Sequence, residues 1–381
     1  MGSNLIIPHY KSKNSFMTKV KDISSYLESI APLAYQESYD NCGLLTGSPD
    51  TEIKKVLITL DVTEEVVDEA IQEGASMIVA HHPIIFKGLK KLTGSNYVER
   101  TVIKAIKNDI ALYAIHTNLD NVSNGVNAKI GEKIGLKNLR ILSPKNQLLK
   151  KLITFIPTKD TNTVLEGLYK AGAGNIGNYS ECSFQVQGTG TFKPNEEANP
   201  TIGKSDKLEM VEENRVEVIF PSFLESKVVK ALFELHPYEE PAYDLLNLEN
   251  VHKEIGSGMI GELENPMEGR EFLLYLKEKM NLLTLKHTLL NDQKIRKVAV
   301  CGGSGSFLLR DAIRQGAQIY ITADFKYHEF FDAENRIVIA DIGHYESEVF
   351  TKDLIYEFLY KKFANIALVL SKTVTNPIRY I

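Results

Sequence analysis

Six residues of the chain have the types and placement to hold an ion. His81 and His82 stand side by side in Ala80-His81-His82-Pro83, His116 and Asp120 frame His116-Thr117-Asn118-Leu119-Asp120, and His344 and Glu348 frame His344-Tyr345-Glu346-Ser347-Glu348. Imidazoles with carboxylates make a nitrogen–oxygen donor set suited to Zn, Fe, Mn, Co or Ni. Each motif alone has a plain alternative: histidines of a surface loop, or a His/acid pair four residues apart serving as cap or ion pair. Together they are more specific, because all six follow apolar strands (77–79, 110–115 and 337–340). In open α/β sheets, ligands bind beyond the carboxyl ends of the strands. Neighbouring histidines serve one site best where a strand ends and the backbone turns, as Pro83 encourages. Six candidates exceed the three protein ligands usual for one catalytic zinc. They suit two divalent ions per chain, about 3.5–4 Å apart. The set holds no cysteine, which argues against a purely structural zinc.

Other motifs are more ambiguous. Cys301-Gly302-Gly303-Ser304-Gly305-Ser306 lies between a strand and a helix, where it is either a cradle for an anion or a tight turn. It lacks the lysine of a P-loop and does not match G-x-G-x-x-G. The equivalent turn of the first half, 60–65, resembles a capping box with Thr63 or Asp61 as the cap. His328 either lines the same cleft or simply starts a helix. His236 sits in a turn made rigid by Pro237 and Pro241. No G-x-S-x-G elbow marks a serine nucleophile.

The elements that must position the six residues come as a repeat. The segment from Lys55-Val56-Leu57-Ile58 through Gly74-Ala75 to Ile78-Val79 aligns without gaps with Lys297-Val298-Ala299-Val300 through Gly316-Ala317 to Tyr320-Ile321. Each copy reads as strand, turn, amphipathic helix ended by glycine, and second strand. The fold class is therefore α/β: a duplicated α/β domain with flanking helices, formed by residues 17–149 and 251–381. Residues 150–250 interrupt it. Strands at 151–157, 181–187, 215–220 and 242–248, with helices at 160–171 and 223–235 and a loop at 193–207, give the order βαβ-βαβ. That order fits an inserted ferredoxin-like α+β domain.

With 44 Lys+Arg against 49 Asp+Glu, the net charge is −5, and no long basic run is present. Nucleic acid is an unsuitable partner for such a chain. No stretch approaches the ~20 apolar residues of a membrane helix. The three cysteines, Cys42, Cys182 and Cys301, form no CxxC pair and indicate a reducing compartment. Residues 1–16 lack a signal-peptide core and read as an extension or a remnant of cloning. A cytoplasmic location is the expectation.

Tyr39-Asp40-Asn41-Cys42-Gly43-Leu44, Ala80-His81-His82-Pro83, the segment 116–120, Gly302-Gly303-Ser304-Gly305-Ser306 and the segment 343–348 occur in an order that resembles the Nif-three-like dinuclear metal proteins, also called GTP cyclohydrolase 1 type 2 homologues. Tyr39 stands where that family typically has tryptophan. The resemblance implies that His81, His82, Asp120, His344 and Glu348 ligate two metal ions, with Glu348 as the bridge. His116 falls in the family's motif as well. It is ranked behind the ligands, orienting one of them or a bound water, although the repeat makes it an extra-ligand candidate. The insertion, with its segment 236–244, resembles the PII/CutA-like domain of longer bacterial members. The family's ring-like hexamers imply a homohexamer here.

The expected function is a metal-dependent hydrolase acting on a small molecule, of GTP cyclohydrolase type by resemblance only. The alternative is a non-catalytic ring-shaped binding or regulatory protein whose PII-like domain takes an effector. A third reading is a protein that stores or inserts metal.

Overall fold

The apolar runs of the first repeat are too short for helices and too continuous for one-sided strands, and they form strands buried on both faces. The computed structural model describes residues 17–381, so the reading of 1–16 lies outside the described residues. The chain divides into two units, one comprising the residues up to Leu139 with Gly258–Ile381, the other Arg140–Ser257.

The first unit begins with α1 (Val20–Ile30), β1 (Gly43–Thr46), β2 (Lys55–Thr59), α2 (Glu64–Glu73), β3 (Met77–Ala80), α3 (Tyr97–Lys107) and β4 (Ala111–Ala114). β2, β3 and β4 pair in parallel, and β1 adds antiparallel to β4. α2 starts where the Thr63 hydroxyl accepts a hydrogen bond from the Val66 N–H (3.3 Å). Thr63 is thus the cap, and Asp61 is left for another partner. The buried stripe of Val66, Val67 and Ala70 packs with Leu57, Ile78 and Leu112. Burial of each valine, leucine or isoleucine stabilises the fold by about 1.5–3 kcal/mol over exposure. The four-residue α4 (Thr117–Asp120), then α5 (Val126–Lys133) and β5 (Lys137–Lys145), follow β4.

The second unit contains β6 (Leu149–Pro157), α6 (Thr161–Lys170), β7 (Phe184–Phe192), β8 (Glu209–Pro221), α7 (Glu225–Leu235) and β9 (Tyr243–Leu248). Its sheet is antiparallel, in the order β7-β8-β6-β9. Leu152 and Ile156 of β6, with Val216, Val218 and Phe220 of β8, pack on Val164, Leu168, Val228 and Leu232 of the helices. The other face of this sheet carries no helix of its own unit. The strand expected at 181–187 runs over Phe184–Phe192, and that expected at 215–220 runs over Glu209–Pro221. The two form one hairpin, from Phe184 opposite Glu217 to Phe192 opposite Glu209. Main-chain pairing extends this hairpin through polar residues that give no apolar signal.

The first unit resumes at Gly258, within β10 (His252–Met267), and continues with α8 (Gly269–Lys279), β11 (Lys286–His287), β12 (Ile295–Ser304), α9 (Leu309–Arg314), β13 (Ile319–Ala323), β14 (Val338–Asp341), α10 (His344–Glu348), α11 (Thr351–Lys362) and β15 (Ala367–Leu370). β12, β13 and β14 pair in parallel as β2, β3 and β4 do. The repeat is therefore one of fold as well as of sequence. In the second copy the helix is reduced to a 3-10 turn at Ser306–Leu308 and the six residues of α9. β15 returns to the first sheet and pairs in parallel with β2. The sheets run β1-β4-β3-β2-β15 and β11-β14-β13-β12-β10-β5. Among the described residues, no helix is long and apolar enough to cross a membrane.

Candidate metal centre

Three strand ends of the first unit deliver the six residues. Beyond β3 the chain still follows its neighbour: the His81 and His82 N–H groups donate to the carbonyls of Thr59 and Leu60 (3.3 and 2.9 Å). The strand ends at Ala80, so the two rings do not diverge; their centroids lie 4.8 Å apart. After β4, His116 stands at the N-cap position of a single helical turn that carries Asp120. After β14, Gly343 turns the chain with φ +91°, a conformation that favours glycine, and α10 then sets His344 and Glu348 on one face.

Glu348 is 2% exposed and lies at the centre of the cluster. Its Oε2 is 2.9 Å from His82 Nε2 and 3.1 Å from His344 Nε2. Its Oε1 is 3.9 Å from His81 Nε2, which is 3.6 Å from Asp120 Oδ1. Two triads, His82–His344–Glu348 and His81–Asp120–Glu348, thus share one carboxylate, and each has the donor atoms to hold an ion. His116 groups with His81 and His82 in a third set. His81 Nε2 and Asp120 Oδ1 are buried and find no hydrogen-bond partner among the described residues. The Nε2 atoms of His82 and His344 stand 3.4 Å apart. Orphaned polar atoms and nitrogens crowded together are costly in a protein interior, and a divalent cation between them relieves both. The residues present fit a metal ion.

Each imidazole is oriented from behind. His81 Nδ1–H donates to the Ile115 carbonyl (2.8 Å), and His82 Nδ1–H to Asp61 Oδ1 (2.7 Å). His116 Nδ1–H donates to Asp40 Oδ1 (2.8 Å), and His344 Nδ1–H to Asp324 Oδ2 (2.6 Å). All four present Nε2 to the cluster, the arrangement that fixes tautomer and ring angle in metal sites.

Burial works against charge on His82, yet the hydrogen bonds and negative charge of Asp61 and Glu348 lift its pKa to about 10. Burial opposes charge on His344 too, and Glu348 with Asp324 raises it to about 9. Glu348 is held well below the usual carboxylate range by the surrounding histidines, despite its burial. Burial, and then the charge of Glu348, push Asp120 up to about 7.

Asp40, Asp61 and Asp324, which orient three of these imidazoles, are the residues of the cluster that motif reading missed. Asp324 occupies the place in the second copy that His82 occupies in the first, so the repeat itself held that signal. The glycine-rich loop is a close-packed turn, and two of its N–H groups are already committed within the protein. Its Gly302 and Gly303 N–H groups are spent on Asn127 Oδ1 and Ser347 Oγ (both 2.9 Å). His328 lies in the 3-10 turn Tyr327–Ala333, against the rings of Tyr327 and Phe331, and joins none of the metal-competent groups. In the second unit His236 is structural: Nε2–H donates to the Phe155 carbonyl (3.0 Å), and Nδ1 accepts from the Tyr238 N–H (3.1 Å).

Known proteins share this arrangement of elements. The model of the Duf34/NIF3 (NGG1p interacting factor 3) family matches residues 18–377. A Halalkalibacterium halodurans protein named GTP cyclohydrolase 1 type 2 homolog is 41% identical over 359 residues, 93% of this chain and 96% of the relative. A Bacillus subtilis protein of the same name is 38% identical over 367 residues, 95% and 98% of the two chains. The crystal structure of a Bacillus cereus protein related to NIF3 matches with a TM-score of 0.83 and 39% identity, covering 96% of this chain and 100% of that one. A mixed α/β fold with several sheets, a metal-competent histidine–carboxylate cluster and these similarities agree, and the chain belongs to the Duf34/NIF3 family.

Proposed function

We propose that the chain is a dinuclear metal-dependent hydrolase, with His82, His344 and Glu348 holding one ion and His81, Asp120 and Glu348 the other. The observation that carries this reading is the position of Glu348, one oxygen toward each triad. Two divalent ions there would supply Lewis-acid and water-activating chemistry. His116 stands beside both triads with its Nδ1 committed to Asp40, which leaves Nε2 to hold or pass a proton. Zn, Fe, Mn, Co and Ni all suit the donor set. GTP is the first substrate to try, because relatives carry its name.

In this reading the protein is a homohexamer, and residues 150–250 are a ferredoxin-like, PII/CutA-like insertion; the βαβ-βαβ order and the antiparallel sheet β7-β8-β6-β9 support the ferredoxin-like part. Metal analysis of the protein at its assembled mass by light scattering is expected to give about two ions per chain in a six-chain particle. Affinity is expected to rise with pH. Without an ion, His82 and His344 keep their protons up to about pH 10 and 9, so protons compete with metal below that range. A stoichiometry near zero in every preparation sinks the proposal.

A second reading, a regulatory protein whose insertion takes an effector, is favoured by a cleft of about 960 Å³ in the second unit. Its lining includes Phe155, Gly188, Gly190, Glu213, Arg215 and Tyr238. Glu213 is 7% exposed, and the Tyr238 hydroxyl donates to its Oε1 (2.8 Å). A Cβ on Gly190 would come within 2.1 Å of Oε2, so the missing side chain is what lets the carboxylate lie against that strand. A buried carboxylate among aromatic rings suits a flat molecule with a cationic or N–H donor head. Benzamidine is expected to bind saturably and to lose affinity in Glu213→Gln; equal binding of benzoate rejects this reading.

A further inference from the structure

Residues 371–376 follow β15 and form no regular element, yet side-chain hydrogen bonds tie them down at three places. Ser371 Oγ, the Lys372 N–H and Thr373 Oγ1 donate to the carboxylate of Glu69 on α2 (2.6, 2.7 and 2.7 Å). Thr375 Oγ1 donates to Asp61 Oδ2. Asn376, 9% exposed, donates from Nδ2 to Glu346 of α10 (3.0 Å). The segment therefore spans from the helix that follows β2 to the helix that carries His344 and Glu348.

The middle tie bears on the metal centre. Asp61 spends Oδ1 on His82 Nδ1–H and Oδ2 on the Thr375 hydroxyl. A carboxylate with a donor on each oxygen cannot rotate without breaking one of them. Asp324, which performs the same service for His344, is half-exposed and has no second donor among the described hydrogen bonds. We infer that Thr375 is a positioning residue for the metal centre: by fixing Asp61 it fixes the ring angle and tautomer of His82, and so sets the affinity of the His82–His344–Glu348 site. It leaves the His81–Asp120 site alone, because His81 is oriented by the Ile115 carbonyl instead. This rests on the reading of the cluster as a two-ion centre.

The test is a cobalt(II) titration of metal-free protein, read by visible absorption and calorimetry. Wild type is expected to take up two ions. Thr375→Val removes the donor at nearly constant volume and is expected to weaken one ion about tenfold, the effect of losing a supporting hydrogen bond behind a ligand. The other ion is expected to bind as before, and Thr375→Ser to restore the wild-type isotherm. Melting curves verify the fold, and Thr375→Ala, expected to behave like valine, replaces Thr375→Val if that variant does not melt cooperatively. A wild type that takes up no cobalt overturns the two-ion reading and this inference with it. Two ions in wild type with an unchanged isotherm in the valine and alanine variants overturn the inference alone. Equal weakening of both ions, or failure of serine to rescue, also overturns it, since either result points to a general structural effect.

Discussion

Glu348→Ala is expected to leave the chain with almost no bound metal, against the about two ions expected of wild type. Loss of an ordinary ligand removes one of three donors from one triad. Loss of Glu348 removes one from both, and with it the negative charge between His82, His344 and His81. His344→Ala is the comparison: it is expected to empty its own triad and keep the ion of the His81–Asp120 triad. The fold is expected to survive in both variants, because the apolar core between the first sheet and its helices includes neither side chain. Wild type is expected to gain about 4 kcal/mol of stability for each bound ion when free metal is about 1,000 times Kd. Its melting point therefore falls with a chelator, whereas that of Glu348→Ala does not respond. Metal analysis beside chelator-dependent melting makes the check. A Glu348→Ala protein that retains one ion at full stoichiometry would falsify the shared-carboxylate arrangement.

The second large effect is expected at Gly303, where strain and the metal centre coincide. Gly303 has φ +61°, which costs a non-glycine residue about 1–2 kcal/mol. A Cβ there would also lie 2.4 Å from Glu348 Oε1 and 3.2 Å from His344 Cε1. Neither neighbour can yield without leaving the cluster, and forced overpacking costs about 1–3 kcal/mol more. Gly303→Ala is therefore expected to lose about 2–5 kcal/mol of stability and most of its metal. Gly316→Ala separates the two causes. Gly316 has φ +73° with nothing within 4 Å of its would-be Cβ, so it carries the strain alone. Its substitution is expected to cost about 1–2 kcal/mol and to leave metal content intact. Denaturant melts and metal analysis of both variants decide; equal metal content in the two rejects the steric role of Gly303.

The histidines were legible because their signal is local. A short apolar strand, its end, and a His or acid just beyond it are all read within ten residues, and parallel-sheet topology brings such ends together. Asp40 and Asp61, which orient His116 and His82, were not legible for the opposite reason. Asp61 beside Thr63 looks like a cap, and only the distant His82 and Thr375 decide that it is not. The glycine loop has the composition of an anion cradle, but Asn127 and Ser347, far away in the chain, claim the N–H groups of Gly302 and Gly303. The β7–β8 hairpin outran its expected bounds because backbone pairing, not side-chain alternation, sets its length.

The return of β15 to the edge of β2 has a consequence for synthesis. Ala367 pairs with Lys55, so the ribosome must add about 310 residues before the first sheet receives its last strand. At about 5–20 residues per second, the nascent chain carries that open edge for about 15–60 s. During nearly the same interval His81 and His82 wait without Glu348, and completion of the metal-competent cluster becomes one of the last events in the birth of the molecule.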